Sequence, residues 1–394
     1  MPAPMLKNSP IALSDLRAWN RLAVEATVGI THIVEDMHQA IARGPTAAGT
    51  ARTSGLSGFV YRSARGVTRA VGGSIDAMFD AAIGDSTGTV SSNRREALRA
   101  ALNGLVGDHL DATANPLGIA MSFRHADRTL ELHRAALSEA IPHARRRVVV
   151  LVHGLCMGDR QWRRHGHDHG EALARDGGFT PVYLHYNSGL RIARNGRELA
   201  DRLEALVREW PVALDELVLV GYSMGGLVIR SACHHADLAD MAWRRRLRAI
   251  AFLGTPHAGT PLARNGHHLD AWLRASAWTA ALARLTTVRS AGIVDLRHAS
   301  ILDDTDDEGR DACAASLPRG VRCYAIAGSL TRKPRRGKPI GDGLVPVASA
   351  LGGDAARTRR LRLPRSRQWI AHGVGHLDLL DHPSVYARLR DWLA

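Results

Sequence analysis

The fold of this chain is decided by the stretch Val218-Leu219-Val220-Gly221-Tyr222-Ser223-Met224-Gly225-Gly226-Leu227-Val228. The four apolar residues Leu217 to Val220 are too few for a helix but suit a strand that is buried on both faces. The glycines that follow permit a sharp turn, and the residues after Gly226 can wind as a helix. We therefore predict a nucleophile elbow, a strand-turn-helix unit that holds Ser223 at the tip of a sheet. An ordinary glycine-rich turn is the alternative, because so short a pattern also arises by chance.

Length and composition indicate a protein with a large core. The chain has 394 residues, of which 45% are hydrophobic, and no run approaches the roughly 18 apolar residues of a membrane span. The first ten residues lack the layout of a signal peptide, so we expect a cytoplasmic location, with a membrane or lipid surface as a possible place of peripheral attachment. The four cysteines contain no Cys-x-x-Cys pair, which predicts reduced thiols rather than a disulfide framework or a zinc ribbon; they are Cys156, Cys233, Cys313 and Cys323.

The charge of the chain is strongly positive, at a formal +14. Only three of its 52 basic residues, Lys7, Lys333 and Lys338, are lysines, and such lopsided usage suggests coding bias as much as a binding surface. The arginines are spread along the chain, and no aromatic residues are interleaved with their clusters for stacking on bases. We therefore expect no nucleic-acid partner, while attraction to an anionic membrane or lipid surface stays open.

The first part of the chain, residues 1–142, reads as a helical region without strands. Its four predicted helices are separated by breaks of small residues or by Asn-Pro-Leu-Gly. They cover residues 11–43, 58–83, 94–110 and 125–141. The region shows no catalytic constellation. Packing against the rest of the protein is one interpretation, and a module for lipid-surface binding or oligomerisation is the other.

In residues 143–394 the pattern changes, and short apolar segments typical of strands alternate with helical stretches. The strands are predicted at 147–152, 181–186, 217–220, 247–253 and 321–327. This alternation predicts a mostly parallel sheet with helices on both faces, whose site lies at the carboxyl ends of the strands. His153-Gly154, Ser223 and Thr255-Pro256-His257 all follow strands directly, so we expect them at one edge of the sheet.

An insertion between residues 258 and 315 interrupts this alternation of strands and helices. Apolar residues at helical spacing within 269–285, and a second helical stretch at 291–300, predict a helical cap over the strand ends. Its apolar face either belongs to the core or forms an acyl pocket. The acidic run Asp303 to Glu308 lacks the spaced oxygens and the glycine of a calcium loop, which favours a solvated loop.

A serine nucleophile needs a base, and an acid that orients the base, and in this class of sheet their order is Ser, Asp or Glu, then His. Downstream of Ser223, Asp342 lies in a glycine-flanked loop after the predicted strand at 321–327. Further on, His376 follows Gly375. We predict Asp342 and His376 as the acid and the base. Rival bases are His372 and His382, and rival acids are Asp303, Asp304, Asp306 and Asp307.

The oxyanion of an acyl-transfer intermediate needs two backbone N–H donors. One is expected from the residue after the nucleophile, Met224, because amides at a helix N-terminus have no partner within the helix. The other is expected from the turn after the first strand of the sheet, His153-Gly154-Leu155, with Leu155 as the donor.

Taken together, these segments resemble the α/β-hydrolase superfamily and, within it, the group of bacterial lipases and GPI inositol-deacylase-like serine esterases. The resemblance covers about residues 145–394 and rests on five motifs. They are His153-Gly154-Leu155, Gly221 to Gly226, Leu253 to Thr260, Gly341 to Pro346 and Gly375-His376. It implies an α/β-hydrolase fold, Ser223, Asp342 and His376 as a catalytic triad, Leu155 and Met224 as oxyanion donors, and ester hydrolysis without a cofactor or a metal. The secreted lipases of this group carry an export signal, often with a calcium site and a disulfide, which this sequence lacks, so an intracellular esterase is favoured.

Two other features look chemical but have simpler explanations. The run His165-Gly166-His167-Asp168-His169 lacks one residue of the metallo-hydrolase pattern His-x-His-x-Asp-His, so we predict a polar loop. Cys156 lies beside the oxyanion turn without an indicated histidine partner, so we predict a packing role.

The expected function is cleavage of carboxylic esters, of acyl or lipid-like substrates, through an acyl-enzyme. An acyltransferase or thioesterase with the same triad is the nearest alternative. A non-catalytic scaffold that binds a lipid surface is a third.

Overall fold

The computed structural model describes residues 93–259, 290–302, 316–332, 340–353 and 361–393. The helices predicted at 11–43 and 58–83, the apolar pattern at 269–285 and the acidic run at 303–308 lie outside these ranges. The backbone forms two compact units. One comprises Met1–Ser91 and Leu110–Leu117, and the other Ser92–His109 and Gly118–Ala394. The domain boundary at residue 142 and the cap at 258–315 stay predictions.

Eight strands in the described residues form a single sheet. In chain order they are β1 (Ser122–His125), β2 (Arg128–Thr129), β3 (Arg147–Val152), β4 (Thr180–His185), β5 (Glu216–Tyr222), β6 (Leu247–Leu253), β7 (Arg322–Ser329) and β8 (Gln368–His372). Their order across the sheet is β2-β1-β4-β3-β5-β6-β7-β8. The six strands from β4 to the β8 edge run parallel, whereas β1 pairs antiparallel with both of its neighbours.

Helices connect these strands and cover the sheet. They are α1 (Asn93–Ala112), α2 (Arg134–Ala140), α3 (His169–Gly177), α4 (Ile192–Glu209), α5 (Met224–Leu238), α6 (Ala291–His298), α7 (Val347–Ala350) and α8 (Pro383–Leu393). Short 3-10 turns occupy Asp159–Trp162, Ala242–Arg245, Arg365–Arg367 and Leu377–Leu380. No helix within the described ranges is long and apolar enough to cross a membrane.

The sheet is buried on both faces because successive side chains of a strand point to opposite sides. On β3, Val148 and Val150 join one core with the apolar side chains of α4 and α5. Val149 and Leu151 join a second core on the other face, to which α3 and α8 contribute. Continuous apolar strands covered by helices on both sides confirm the predicted α/β-hydrolase fold. The five strands predicted after residue 143 are confirmed as β3 to β7, and β8 has no predicted counterpart.

The prediction of one helix over 125–141, and of no strand before residue 142, is wrong. The β1–β2 hairpin precedes the short helix α2, and β1 pairs with β4 through Phe123 and Leu184. The hairpin escapes sequence reasoning because β1 reads Ser-Phe-Arg-His, with a single apolar residue and no alternation. Its two turn residues, Ala126 and Asp127, adopt φ values of 47° and 65°, a conformation that Asn-Gly or Asp-Gly would have signalled but Ala-Asp does not.

The parallel order sets the position of the site. Strands β3, β5 and β6 are neighbours, so their carboxyl ends lie side by side at one edge of the sheet. The segment after β3 begins with His153, that after β5 with Ser223, and that after β6 with Gly254. The segments predicted to share one edge therefore do so.

The role of β1 in the core can be tested by Phe123→Ala. Phe123 has no exposed surface and packs in the core that contains Leu184, so its truncation should lower the free energy of unfolding by about 3–5 kcal/mol. Arg128→Ala, on the exposed edge strand β2, should change it by less than about 0.5 kcal/mol. Denaturant titration followed by circular dichroism measures both. Equal effects of the two substitutions would contradict the placement of β1 in the sheet.

Candidate active site

The turn between β5 and α5 places Ser223 in a strained backbone conformation. Its φ and ψ are 51° and −125°, a region that L-residues other than glycine rarely adopt and that costs about 1–3 kcal/mol. Ser223 is the N-cap of α5, yet its side chain makes no capping hydrogen bond with the described helix. The hydroxyl is therefore not used to cap the helix, and such strain commonly marks a functional turn.

The glycines around Ser223 are required by close backbone contacts. A Cβ built on Gly221 would lie 2.6 Å from the Gly226 Cα, and one on Gly225 would collide with the carbonyl oxygen of Val152 at the end of β3. Real Cβ atoms do not approach other atoms so closely, so any larger residue would push α5 away from the sheet. The Gly-x-Ser-x-Gly pattern is thus explained by packing at this edge.

Asp342 and His376 form a buried pair. The Nδ1–H of His376 donates to Asp342 Oδ2 at 2.7 Å, and the backbone N–H of His376 donates to the Asp342 carbonyl at 3.0 Å. The other carboxylate oxygen, Oδ1, accepts the amides of Leu344 and Val345. Both residues are at most 5% exposed. With Nδ1 acting as donor to a carboxylate, Nε2 is the nitrogen left to act as a base.

Tyr222 and the end of β6 connect the Ser223 turn to this pair. The Tyr222 hydroxyl donates to the carbonyl oxygen of His376 at 3.2 Å, and the two rings lie 4.9 Å apart. Burial raises the pKa of Tyr222 well above its usual range, so its hydroxyl stays a donor. The Ser223 amide donates to Leu253 at the end of β6, and a Cβ on the next residue, Gly254, would lie 3.0 Å from the His376 ring.

Ser223 thus belongs to a segment that contacts His376 through Tyr222. No hydrogen bond within the described part of the chain joins the Ser223 hydroxyl to His376. Such contacts are often long before substrate binds.

The rival bases have other partners. The Nδ1–H of His372 donates to the Thr331 carbonyl at 3.2 Å. His382 accepts the backbone N–H of Ser384 at 3.3 Å. Neither ring hydrogen-bonds to a carboxylate of the described residues, whereas the His376 ring does. The rival acids Asp303, Asp304, Asp306 and Asp307 lie outside the described ranges.

The two predicted oxyanion donors belong to segments that adjoin Ser223. Met224 is the first residue of α5, and Leu155 is in the turn that follows β3. A Cβ built on Gly154 would lie 3.1 Å from the Ser223 Cβ, so this turn is in contact with the elbow. Within the described residues, neither the Leu155 nor the Met224 amide donates a backbone hydrogen bond. The role of both N–H groups as oxyanion donors stays a prediction.

His153 orients the peptide that carries the Leu155 amide. Its ring stacks on Tyr186 at 4.3 Å, and its Nδ1–H donates to the Gly154 carbonyl at 2.9 Å. Because the C=O and N–H of a trans peptide point in opposite directions, holding this carbonyl also directs the Leu155 N–H. Burial lowers the pKa of His153 to about 3, so the ring is neutral and keeps its Nδ1 proton at neutral pH.

The histidine-rich loop connects to the site through a chain of hydrogen bonds. His169 donates from Nε2 to the Leu379 carbonyl at 2.9 Å, which leaves its Nδ1 to accept from His167 Nε2 at 2.8 Å. Leu379 belongs to the turn after His376, and its amide donates to the His376 carbonyl. His165 contacts Asp381 at 2.6 Å. Among the described residues, no group of three or more His, Cys, Asp or Glu side chains is arranged to hold a metal ion.

Cys156 completes the turn after β3. Burial raises the pKa of its thiol, so the sulfur is a neutral packing atom at neutral pH. Its backbone has a φ of 58°, and its N–H donates to the Ser188 hydroxyl at 3.0 Å. The packing role predicted for this cysteine agrees with these contacts, whereas Ser188 was not anticipated.

Sequence reasoning also missed the roles of the His153 ring, Tyr222 and His169. Each bonds to a backbone carbonyl: His153 to that of the next residue in the donor turn, and Tyr222 and His169, from other segments, to the His376 turn. For His153 and Tyr222 the sequence did offer a signal, because each is a polar residue directly beside a predicted site residue. His169 offered no such signal. His169 lies 207 residues before His376 in the sequence, so no local pattern could have revealed its contact.

Comparisons with other proteins give limited matches. A family model described as a domain of unknown function, DUF7379, matches residues 120–298, which is less than half of the chain. Comparison with curated proteins gives no match.

Among solved structures, the mature lipase BlEst2 of Bacillus licheniformis is 19% identical with a TM-score of 0.42, covering 63% of this chain and 92% of its own. An esterase of Thermogutta terrifontis is 16% identical with a TM-score of 0.36, covering 70% and 92%. The Pyrococcus furiosus esterase Pf2001 is 13% identical with a TM-score of 0.38, covering 64% and 82%. Likenesses at such low values carry no conclusion about the activity of this chain.

The buried His169 should make stability depend on pH. Burial lowers its pKa to about 4, whereas an unfolded histidine titrates near 6.5. Between pH 6.5 and 4 the unfolded chain binds a proton that the folded chain does not, so the free energy of unfolding falls as pH is lowered through this window, by about 3 kcal/mol for this residue. In His169→Gln the free energy of unfolding should fall less over this pH window than in the wild type, because the contribution of this ring is absent. Denaturant titration at several pH values measures the difference.

The control for this prediction is Ser138→Ala, which removes an exposed hydroxyl on α2 and no titratable group. It should keep the pH dependence of the wild-type protein. An unchanged pH dependence in His169→Gln would show that the His169 ring is already charged, or solvated, in the fold.

Proposed function

We propose that this protein is a serine hydrolase that cleaves carboxylic esters through an acyl-enzyme, with Ser223 as nucleophile, His376 as base and Asp342 as the acid that orients it. The observation that carries the proposal is the buried 2.7 Å hydrogen bond from His376 to Asp342 beside the strained Ser223 turn. A carboxylate that holds Nδ1 fixes the tautomer in which Nε2 can remove a serine proton. The motifs of the chain favour the bacterial lipase and GPI inositol-deacylase-like group within the superfamily.

In the proposed first half-reaction, the Ser223 Oγ attacks the carbonyl carbon of the ester while His376 Nε2 accepts the hydroxyl proton. The negative charge that develops on the carbonyl oxygen is stabilised by the N–H groups of Leu155 and Met224, and Met224 adds the positive end of the α5 dipole. Collapse of the tetrahedral intermediate expels the alcohol, which takes the proton from His376 Nε2. In the second half-reaction water attacks the acyl-enzyme by the same route and releases the acid.

The remaining expectations belong to the same proposal. Acyl or lipid-like esters as substrates, a cytoplasmic location and attraction to an anionic surface stay predictions from the sequence. A transferase would share every step up to the acyl-enzyme and differ only in the acceptor, so assays with added alcohols or thiols, followed by product analysis, separate hydrolysis from transfer.

Replacement of the nucleophile is the direct test. Ser223→Ala should abolish labelling by a fluorophosphonate probe and lower kcat for p-nitrophenyl esters by at least about 10⁴-fold, because no other group can form the acyl-enzyme. The control Ser138→Ala removes an exposed hydroxyl on α2 that donates to the Arg134 carbonyl, and it should label and turn over like the wild type. Undiminished labelling of Ser223→Ala would reject the proposal, and labelling of neither wild type nor variant would favour a non-catalytic role.

The assignment of the base can be tested against its two rivals. His376→Gln should lower kcat by at least about 10⁴-fold, since the Ser223 proton then has no acceptor. His372→Gln and His382→Gln change rings that bond to Thr331 and Ser384 instead, and each should retain kcat within about threefold. Steady-state kinetics on the three variants decides between them, and loss of activity in either rival alone would move the base to that residue.

A further inference from the structure

The turn that carries the Leu155 amide is held by a contact from another loop. Cys156 adopts a φ of 58°, which costs a non-glycine residue about 1–2 kcal/mol and does not persist without external support. The hydrogen bond from its N–H to the Ser188 Oγ, at 3.0 Å, supplies part of that support. Ser188 has no exposed surface and lies in the loop between β4 and α4, so water does not replace this bond.

Helix α1 supplies the second contact with the same residue. A Cβ built on Gly104 would lie 2.7 Å from both the backbone N and the Cα of Cys156 and would also collide with its Sγ. The backbone of α1 is therefore in direct contact with Cys156, the residue of the turn that has the left-handed conformation. An alanine at Gly104 would have to displace either α1 or Cys156.

Helix α1 also holds the loop that presents Ser188. The Asn187 Nδ2 donates to the Gly107 carbonyl at 2.9 Å, and a Cβ built on Gly189 would collide with the Asn103 carbonyl. Asn187 and Gly189, the residues on both sides of Ser188, are thus in contact with the backbone of α1. Ser188 and α1 therefore hold Cys156 together, because the loop that carries Ser188 is itself in contact with the helix.

The position of α1 is itself fixed by polar contacts along its length. Near its start, Glu96 lies 3.5 Å from the Arg124 guanidinium of β1. Further along, the Ser290 hydroxyl donates to the Gly104 carbonyl at 2.7 Å, and the Asp108 carboxylate accepts the Ala291 amide at 2.9 Å. These contacts join α1 to β1 and to the start of α6, and they fix the helix independently of Cys156.

We propose that Ser188, together with Gly104 of α1, positions the oxyanion turn, so that residues 93–109 are a working part of the active site although they precede the sheet in the sequence. This inference rests on the proposed function for its catalytic meaning. Ser188 and Gly104 are positioning residues, since they contact Cys156 and act on the reaction through the orientation of the Leu155 N–H. Their loss should therefore weaken stabilisation of the transition state and leave substrate binding unchanged.

The test is Ser188→Ala in the full chain, with kcat expressed per site titrated by a fluorophosphonate. Loss of a whole oxyanion donor costs about 10²–10³ in rate, and a misplaced donor should cost somewhat less, so we expect kcat to fall about 10- to 100-fold with KM within twofold. A variant that merely misfolded would lose titratable sites and keep kcat per site. Gly104→Ala should show the same pattern, with its melting temperature checked separately, and Ser138→Ala should match the wild type.

Hydrogen exchange provides a readout that does not depend on activity. Without the Ser188 hydroxyl, the Cys156 amide should exchange at least about tenfold faster, whereas a peptide covering 217–228 should be unchanged. If the wild type hydrolyses esters and Ser188→Ala keeps its kcat per site, the inference is overturned. If the wild type neither hydrolyses esters nor reacts with the probe, the proposed function fails, and exchange at Cys156 alone decides whether Ser188 holds the turn. Unchanged exchange there overturns the inference in either case.

Discussion

The close backbone contact between the start of α5 and the end of β3 is the constraint on which the site depends. Gly225 lies against the Val152 carbonyl so tightly that no side chain fits between them. This contact sets the distance between the elbow and the turn after β3, and thereby how near the turn that carries the Leu155 amide lies to Ser223 and Met224. The strained conformation of Ser223 follows, because the chain must reverse from β5 into a helix within one residue.

Buried polar groups then stabilise the loops around this contact. His153, His169 and Tyr222 each donate one hydrogen bond to a backbone carbonyl of a site loop. For the two histidines burial suppresses the charged form and keeps one ring proton available as a donor. These rings cost desolvation, and their hydrogen bonds to backbone carbonyls offset part of that cost. The turns that carry Leu155 and His376 are thus held by side-chain hydrogen bonds to their backbones.

Much of the fold followed from local patterns. Apolar strands of four to seven residues alternating with helices predicted the sheet after residue 143, because strands buried on both faces must be continuously apolar. The order Ser223, Asp342, His376 and the two donor positions were also named from motifs, and the structure brings Asp342 and His376 into direct contact. The β1–β2 hairpin was missed, since a short edge hairpin with one apolar residue carries no periodicity.

By itself, the sequence determined the elbow, the strand order along the chain and the residue types able to perform acyl transfer, because steric limits and side-chain period act over a few residues. The tertiary structure alone decided which histidine meets Asp342, and that Ser188 and Gly104 hold Cys156. Those pairs are separated by 34, 32 and 52 residues in the sequence. Their contact depends on how strands and helices pack, and no local pattern encodes it.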